Sequence, residues 1–188
     1  MSFSKRLWLE SSTSLRKIGK GATAKIYLAR EVSLRRLVAI KVLRPEHAET
    51  ETARQRFVRE AQAAARISNS NVATVFRTGV LESELPYLVM EWIKGTSLAD
   101  RLASGGPLGE ERVRAIVTGI TRGLAAAHAK RVVHRDVRPE NVLLEEDTGR
   151  VTLTDFGIAA TPERLTETGE LLSQPRYAAF PSRSRERA

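Results

Sequence analysis

His134-Arg135-Asp136-Val137-Arg138-Pro139-Glu140-Asn141, followed 14 residues later by Asp155-Phe156-Gly157, is the stretch on which the reading of this chain turns. The chain has four aspartates, Asp100, Asp136, Asp147 and Asp155, and two of them fall in these segments. A carboxylate such as Asp136 can orient a hydroxyl nucleophile. Oxygen donors such as those of Asn141 and Asp155 can hold a hard divalent cation against phosphate groups. A lone Asp-Phe-Gly carries little information. The combination at this spacing carries a great deal.

Upstream, two further segments fit the same chemistry. Gly19-Lys20-Gly21-Ala22-Thr23-Ala24-Lys25-Ile26 reads as a strand–turn–strand whose glycines let the backbone approach a phosphate closely. By itself such a segment serves equally as an ordinary hairpin turn, and no Gly-Lys-Ser/Thr follows to make a P-loop. In Val38-Ala39-Ile40-Lys41 a lysine ends an apolar run. A buried ammonium is costly unless paired, and Glu60, on the helix that follows, can supply the charge. An edge strand with Lys41 in water satisfies the alternation as well.

The surrounding pattern predicts strands at Leu15–Ile18, Ile26–Ala29 and Leu37–Leu43, then a helix over Glu51–Ile67 with Phe57, Ala61, Ala64 and Ala65 on one face. Strands are predicted at Val72–Arg77 and Tyr87–Trp92. After Gly95 the pattern turns helical. Thr96 or Ser97 can cap a short helix. A long amphipathic helix over Glu110–Lys130 carries Val113, Ile116, Val117, Ile120, Leu124 and Ala127. Short strands follow at Val132–Val133, Val142–Leu144 and Val151–Leu153. The order places a strand-rich first part before a helix-rich second part, with a boundary near Lys94–Gly95.

Composition narrows the function classes. The 188 residues carry a net charge of +9 and no cysteine, which excludes a disulfide framework and Cys-based zinc sites. No apolar run approaches a membrane span, and no signal peptide is visible, so a cytoplasmic location is expected. The basic excess sits in the first 60 residues, with 14 Lys/Arg against 6 acids, and in the last 13, with 4 against 1. No helix-turn-helix, zinc-finger or aromatic stacking pattern accompanies it, so nucleic acid is not the expected partner.

Taken together, Leu15 to Ala159 resembles a Hanks-type (eukaryotic-like) serine/threonine protein kinase domain, most like the bacterial kinases of that class. The resemblance implies an α+β, two-lobe fold. It gives a first lobe over residues 15–93, a partial helical second lobe over 94–181, an extension at 1–14 and a disordered tail at 182–188. It implies ATP and Mg²⁺ as cofactors and a Ser/Thr-bearing protein as substrate. It leaves a dimer through the first lobe open.

The resemblance makes Asp136 the catalytic aspartate and Lys41 the α/β-phosphate ligand, with Glu60 as its ion-pair partner. Asn141 and Asp155 become the magnesium ligands. The loop Ile18, Gly19, Lys20, Gly21, Ala22, Thr23, Ala24, Lys25 and Ile26 would fold over the nucleotide, with Ala24 where the family has a third glycine. Val38 and Ala39 would line the adenine pocket from above and Leu143 from below. Met90 would stand at the gatekeeper position, and Glu91 and Ile93 would offer backbone hydrogen bonds to adenine. Arg135 before the catalytic aspartate implies control by loop phosphorylation, with Thr166 and Thr168 as candidates.

The pattern also departs from the family. Arg138 stands where these kinases usually carry a lysine that reaches the γ-phosphate; it keeps the charge and would take that catalytic role, with lower turnover expected because a planar guanidinium fork is not a point donor. Gln174 replaces a threonine that normally bonds to the catalytic aspartate. The match then gives way to an Arg/Ser tail, from which a frameshift or gene truncation is expected, a short natural variant being the other option. These departures keep a second function in view: a non-catalytic kinase remnant that binds ATP or a partner.

Overall fold

Alternation of apolar side chains in the first half of the chain builds a sheet with two buried faces. The computed structural model describes residues 12–20 and 23–156. Five strands pair antiparallel in the order β1-β2-β3-β5-β4. They are β1 (Ser12–Lys20), β2 (Ala24–Glu31), β3 (Arg36–Leu43), β4 (Val75–Val80) and β5 (Pro86–Glu91). Along β3, Val38, Ile40 and Val42 pack with Ala29 and Val89 on one face. Ala39 and Leu43 pack on the other with Leu88, Met90 and the helix residues Phe57 and Ala61. A period of two puts neighbouring residues on opposite faces. The expectation that Val38 and Ala39 both face a nucleotide therefore fails for Val38, which is fully buried in the outer core.

Helix α1 (Glu51–Ala64) begins at Thr50, whose hydroxyl accepts from the Ala53 N–H at 3.2 Å. It ends three residues before the predicted boundary. There the backbone tightens into Arg66 N–H to Ala63 O and Ile67 N–H to Ala64 O bonds. Phe57, Ala61 and Ala64 are buried as predicted, whereas Ala65 is exposed. The strand predicted at Val72–Arg77 forms later, as β4. Val72 instead makes a single bridge to Leu153, because the backbone at 71–73 bonds to that residue on both sides.

The second part holds a three-stranded antiparallel sheet, β6 (Gly95–Ser97), β7 (Val142–Glu145) and β8 (Val151–Leu153). It also holds α2 (Leu98–Ser104) and α3 (Glu110–Ala129). Ser97 is the cap of α2, its hydroxyl accepting from the Asp100 N–H at 3.0 Å. Val132–Val133 is not a strand. Val132 closes the end of α3 through its N–H to Ala127 O and is buried, while Val133 points outward.

Helix α3 buries Ile116, Gly119, Gly123 and Ala127. Val113 and Val117, predicted on the buried stripe, are 42% and 56% exposed. The helix approaches β8 and the 69–72 loop through its glycines. A Cβ on Gly119 would lie 2.6 Å from Val151 Cβ, and one on Gly123 would lie 2.7 Å from Asn71 O. This close approach lets Ile67, Val72, Ile116, Val142, Leu144, Leu153 and Phe156 form one core. The loop bearing Asp136 and the strand end bearing Asp155 sit on that core.

Candidate active site

Lys41 lies on the β3 face that also carries Ala39 and Leu43. Its backbone neighbours are Ile26 on β2 and Leu88 on β5, and Ala39 stands beside Met90 in the next register position. Ile26 in turn faces Gly19 across the β1–β2 pair. A Cβ on Gly19 would meet Ile26 at an ordinary 3.6 Å, and no left-handed backbone is needed there. The fold itself therefore does not demand glycine at this position. Ala24 is buried, and Thr23 O accepts from the Arg44 N–H. Lys25 and Ile18 are half-buried, and Lys20 pairs with Lys25 at the strand end. Gly21 and Ala22 lie outside the described residues, as do Gly157, Thr166, Thr168 and Gln174.

The Lys41 ammonium is almost fully buried, and its Nζ lies 2.8 Å from Asp155 Oδ1. The expected partner, Glu60, is not the one it holds. Glu60 Oε2 is buried without a hydrogen-bond partner. Burial pushes the Glu60 carboxyl up to about 7, against the opposing pull of Arg135, Arg56 and Lys41. The physical reason for the exchange is competition. One buried ammonium faces two carboxylates, and direct contact with Asp155 satisfies it.

The Asp136 loop is fixed by three sets of hydrogen bonds. Asn141 Nδ2 donates to Asp136 O at 2.8 Å and to Asp136 Oδ2 at 3.0 Å. A turn of 3₁₀ helix over Pro139–Asn141 and the Thr154 N–H to Asn141 O bond hold Asn141 itself, which is buried. His134 is buried between the two segments. Its Nδ1 accepts from the Asp136 N–H at 3.3 Å, so Nε2 carries the proton and donates to Thr154 O at 2.9 Å. Its ring packs on Phe156 with centroids 4.4 Å apart. Burial holds the imidazole below its usual range, so the neutral form is the one bonded here. This bracing role of His134 has no signal in the sequence beyond its place in the His-Arg-Asp segment.

Arg135 and Asp155 both have left-handed backbones, with φ of 65° and 64°. Such conformations in non-glycine residues cost on the order of 1 kcal/mol or more and gather at functional sites. Arg138 Nε donates to Glu140 Oε2 at 2.9 Å.

At the end of β5, Met90 packs in the α1-side core and Ile93 is buried. The Glu91 N–H donates to Thr74 O at 2.8 Å. Any backbone contact from Glu91 to a ligand thus falls to its carbonyl. Leu143 is half-buried and absent from the core that holds Val142 and Leu144, as strand alternation requires.

Hard oxygen donors suit a small divalent cation. Asn141 turns its amide nitrogen to Asp136, which leaves Oδ1 free to accept, and Asp155 brings a carboxylate. Among the described residues no three His, Cys, Asp or Glu side chains gather as a metal cluster. Two protein donors with the remaining positions filled by water and phosphate is the manner in which Mg²⁺ is commonly held. The residues present therefore fit that ion. A cavity of about 480 Å³ lies elsewhere, between α1 and the β4–β5 hairpin, lined by residues such as Arg54, Val58 and Val80.

Comparison with known proteins gives concordant matches. The profile of the protein kinase domain matches residues 12–181. Serine/threonine-protein kinase PknL of Mycobacterium tuberculosis is 40% identical over 163 residues, which cover 86% of this chain and 40% of that protein. Serine/threonine-protein kinase PrkC of Bacillus subtilis is 36% identical over 165 residues, covering 87% of this chain and 25% of that protein. The crystal structure of the Mycobacterium tuberculosis PknI kinase domain superposes with a TM-score of 0.71 at 32% identity, over 81% of this chain and 60% of that one. The chain thus spans well under half the length of these curated relatives.

Proposed function

The chain belongs to the protein kinase domain family, and from that premise we propose that it is an ATP- and Mg²⁺-dependent serine/threonine protein kinase. The observation that carries the reading is the Lys41–Asp155 pair set beside the Asn141–Asp136 pair through the Thr154 N–H to Asn141 O bond, with Asp136 Oδ1 left without a bonding partner among the described residues. In this reading residues 15–93 form the nucleotide lobe and 94–181 part of the second lobe. The partner is a Ser- or Thr-bearing protein.

Bound Mg²⁺ would supply charge neutralisation across the phosphates, with Asn141 and Asp155 as its protein ligands. The remaining work belongs to the chain. Asp136, braced by Asn141, accepts the hydrogen bond and then the proton of the attacking hydroxyl. The bond from that oxygen to the γ-phosphorus forms as the bond to the β–γ bridging oxygen breaks, and ADP leaves. Lys41 exchanges Asp155 for the α- and β-phosphate oxygens, and Glu60 then holds its ammonium from the other side. Ile26 and Ala39 cover the adenine from above, Leu143 from below, and Met90 limits the depth of the pocket. Gly19 lets the strand backbone approach the phosphates, consistent with a glycine that its own fold does not require. Arg138 would have to leave Glu140 to reach the γ-phosphate.

Transfer of radiolabel from ATP to a generic basic protein, with Asp136→Asn as control, tests the reading. Incorporation that the control loses supports the kinase. Nucleotide binding without incorporation would replace it with the binding-module alternative.

A further inference from the structure

Arg150, which none of the catalytic motifs contains, is a charged group that links the two parts of the molecule. It follows the 146–149 turn and precedes β8. Its Nη2 donates to Glu91 Oε1 at 2.7 Å and to Glu145 Oε1 at 3.1 Å, its Nε donates to Glu145 Oε2 at 3.2 Å, and its Nη1 donates to Ser70 O at 3.3 Å. Glu91 uses its other carboxylate oxygen to accept from the Thr74 N–H at 3.2 Å. One guanidinium thus ties the end of β5, strand β7 and the loop after α1 into a single knot.

The placement matters because Glu91 is where the first sheet hands over to the second part of the chain. Met90 packs on the α1-side face of β5, so the Glu91 side chain leaves the strand on the opposite face. Arg150 therefore braces this handover from behind and cannot touch a ligand on the Lys41 side. The ionic side chains are shielded, with exposures of 25%, 24% and 19% for Arg150, Glu91 and Glu145. A second tie, from Lys94 to Asp147 and Glu146, is exposed on every side and contributes little.

The chemistry is that of a geometric device. A shielded ion pair gains little net stability over apolar packing. A bidentate guanidinium–carboxylate fork does fix orientation, and a lysine cannot reproduce it. Here the fork fixes where Glu91 stands relative to β7, whose Leu143 forms the floor of the proposed adenine pocket.

We propose that Arg150 is a positioning residue for nucleotide binding. By clamping Glu91 to Glu145 it sets the spacing between the β5 end and β7 in which adenine is gripped. The proposal rests on the nucleotide-cleft reading above and adds a determinant of affinity outside the cleft.

Calorimetric titration of the full chain with Mg-ADP, together with ATP kinetics, tests it. Arg150→Ala is expected to weaken Mg-ADP binding and raise KM for ATP about five-fold, with kcat within about two-fold. Glu91→Gln should weaken binding by a similar factor, and the double variant should be no weaker than the weaker single one, because both break the same link. Arg150→Lys should recover part of the loss. Wild-type or tighter binding by Arg150→Ala overturns the proposal, as do multiplying effects in the double variant. If Arg150→Ala does not fold, Glu91→Gln and Arg150→Lys decide by the same criteria. Failure of the unaltered chain to bind Mg-ADP would remove the cleft reading itself, and the clamp's role with it.

Discussion

Lys41 is bonded to Asp155 and not to Glu60, and this one contact sets the electrostatics of the whole site. The ammonium is nearly sealed, with 4% of the side chain exposed, while Asp155 keeps 21%. The two partners therefore respond unequally to loss of the other. Removing the Asp155 charge leaves a buried cation facing only Glu60, whose carboxyl burial pushes up to about 7. Removing the Lys41 charge leaves a carboxylate that water can reach.

Lys41→Met is accordingly expected to abolish phosphotransfer while leaving the melting temperature unchanged or higher. Asp155→Asn should abolish phosphotransfer and also destabilise the nucleotide-free chain, by about 1–3 kcal/mol. Thermal unfolding of both variants without nucleotide checks this. Equal destabilisation by the two would show that the Lys41–Asp155 contact does not dominate.

Glu60 should make stability depend on pH. Its folded carboxyl titrates at about 7 against 4.5 for an ordinary one. Between those values the folded state holds a proton that the unfolded state has released, so stability falls as pH rises through this window. Glu60→Gln removes that penalty. Its melting temperature, relative to the unaltered chain, should rise from pH 5 to pH 8 and then level off. A difference that stays flat across the range would place Glu60 in contact with a cation in solution. The same variant should lose activity, because a neutral amide holds Lys41 less well once nucleotide has drawn it from Asp155.

The glycines of α3 give a packing test of opposite sign to helix propensity. Alanine is favoured over glycine by about 1 kcal/mol within a helix. At Gly119 and Gly123, however, the added Cβ would fall 2.6 Å from Val151 Cβ and 2.7 Å from Asn71 O. Overpacking of this kind costs about 1–3 kcal/mol. Gly119→Ala and Gly123→Ala should each lower stability in urea unfolding. Gly106→Ala, where nothing lies within 4 Å of the new carbon, should not.

What the sequence disclosed followed from the range of each interaction. Asp136 and Asn141 lie in one short loop, so their bond could be anticipated from spacing. Lys41 stood out because a charge interrupted an apolar strand. Its partner could not be read, since two carboxylates were within reach and only packing chooses between them. Val38 and Ala39 cannot share one surface, because neighbouring residues of a strand face opposite sides. The buried face of α3 was misjudged because glycines that permit close approach carry no hydropathy signal, while Val113 and Val117 do. Arg150 carries no signal of its own, because a basic residue after Glu145, Glu146 and Asp147 reads as part of a solvated turn.

His134 offers a last test, because its two ring nitrogens already have partners in the neutral form. A second proton would set an N–H against the Asp136 N–H that Nδ1 now accepts. Burial holds the folded pKa below the ordinary 6.5. Below pH 6.5 the unfolded chain therefore gains a proton that the folded chain resists. The stabilisation is complete above 6.5 and is lost as pH falls toward and through the depressed value. His134→Gln keeps a donor and an acceptor but cannot titrate. It should be less stable than the unaltered chain at pH 8, by about 1–2 kcal/mol, through weaker hydrogen bonds and the lost contact with Phe156. The gap should narrow as pH falls from 6.5 to 5. Glu60 is common to both proteins, so its opposite slope cancels in the difference. Urea unfolding across this range checks the argument, and a gap that widens in acid would mean the buried imidazole is charged. Because the Asp136 N–H is held by the same ring, kcat of His134→Gln should fall at every pH, with KM for ATP little changed.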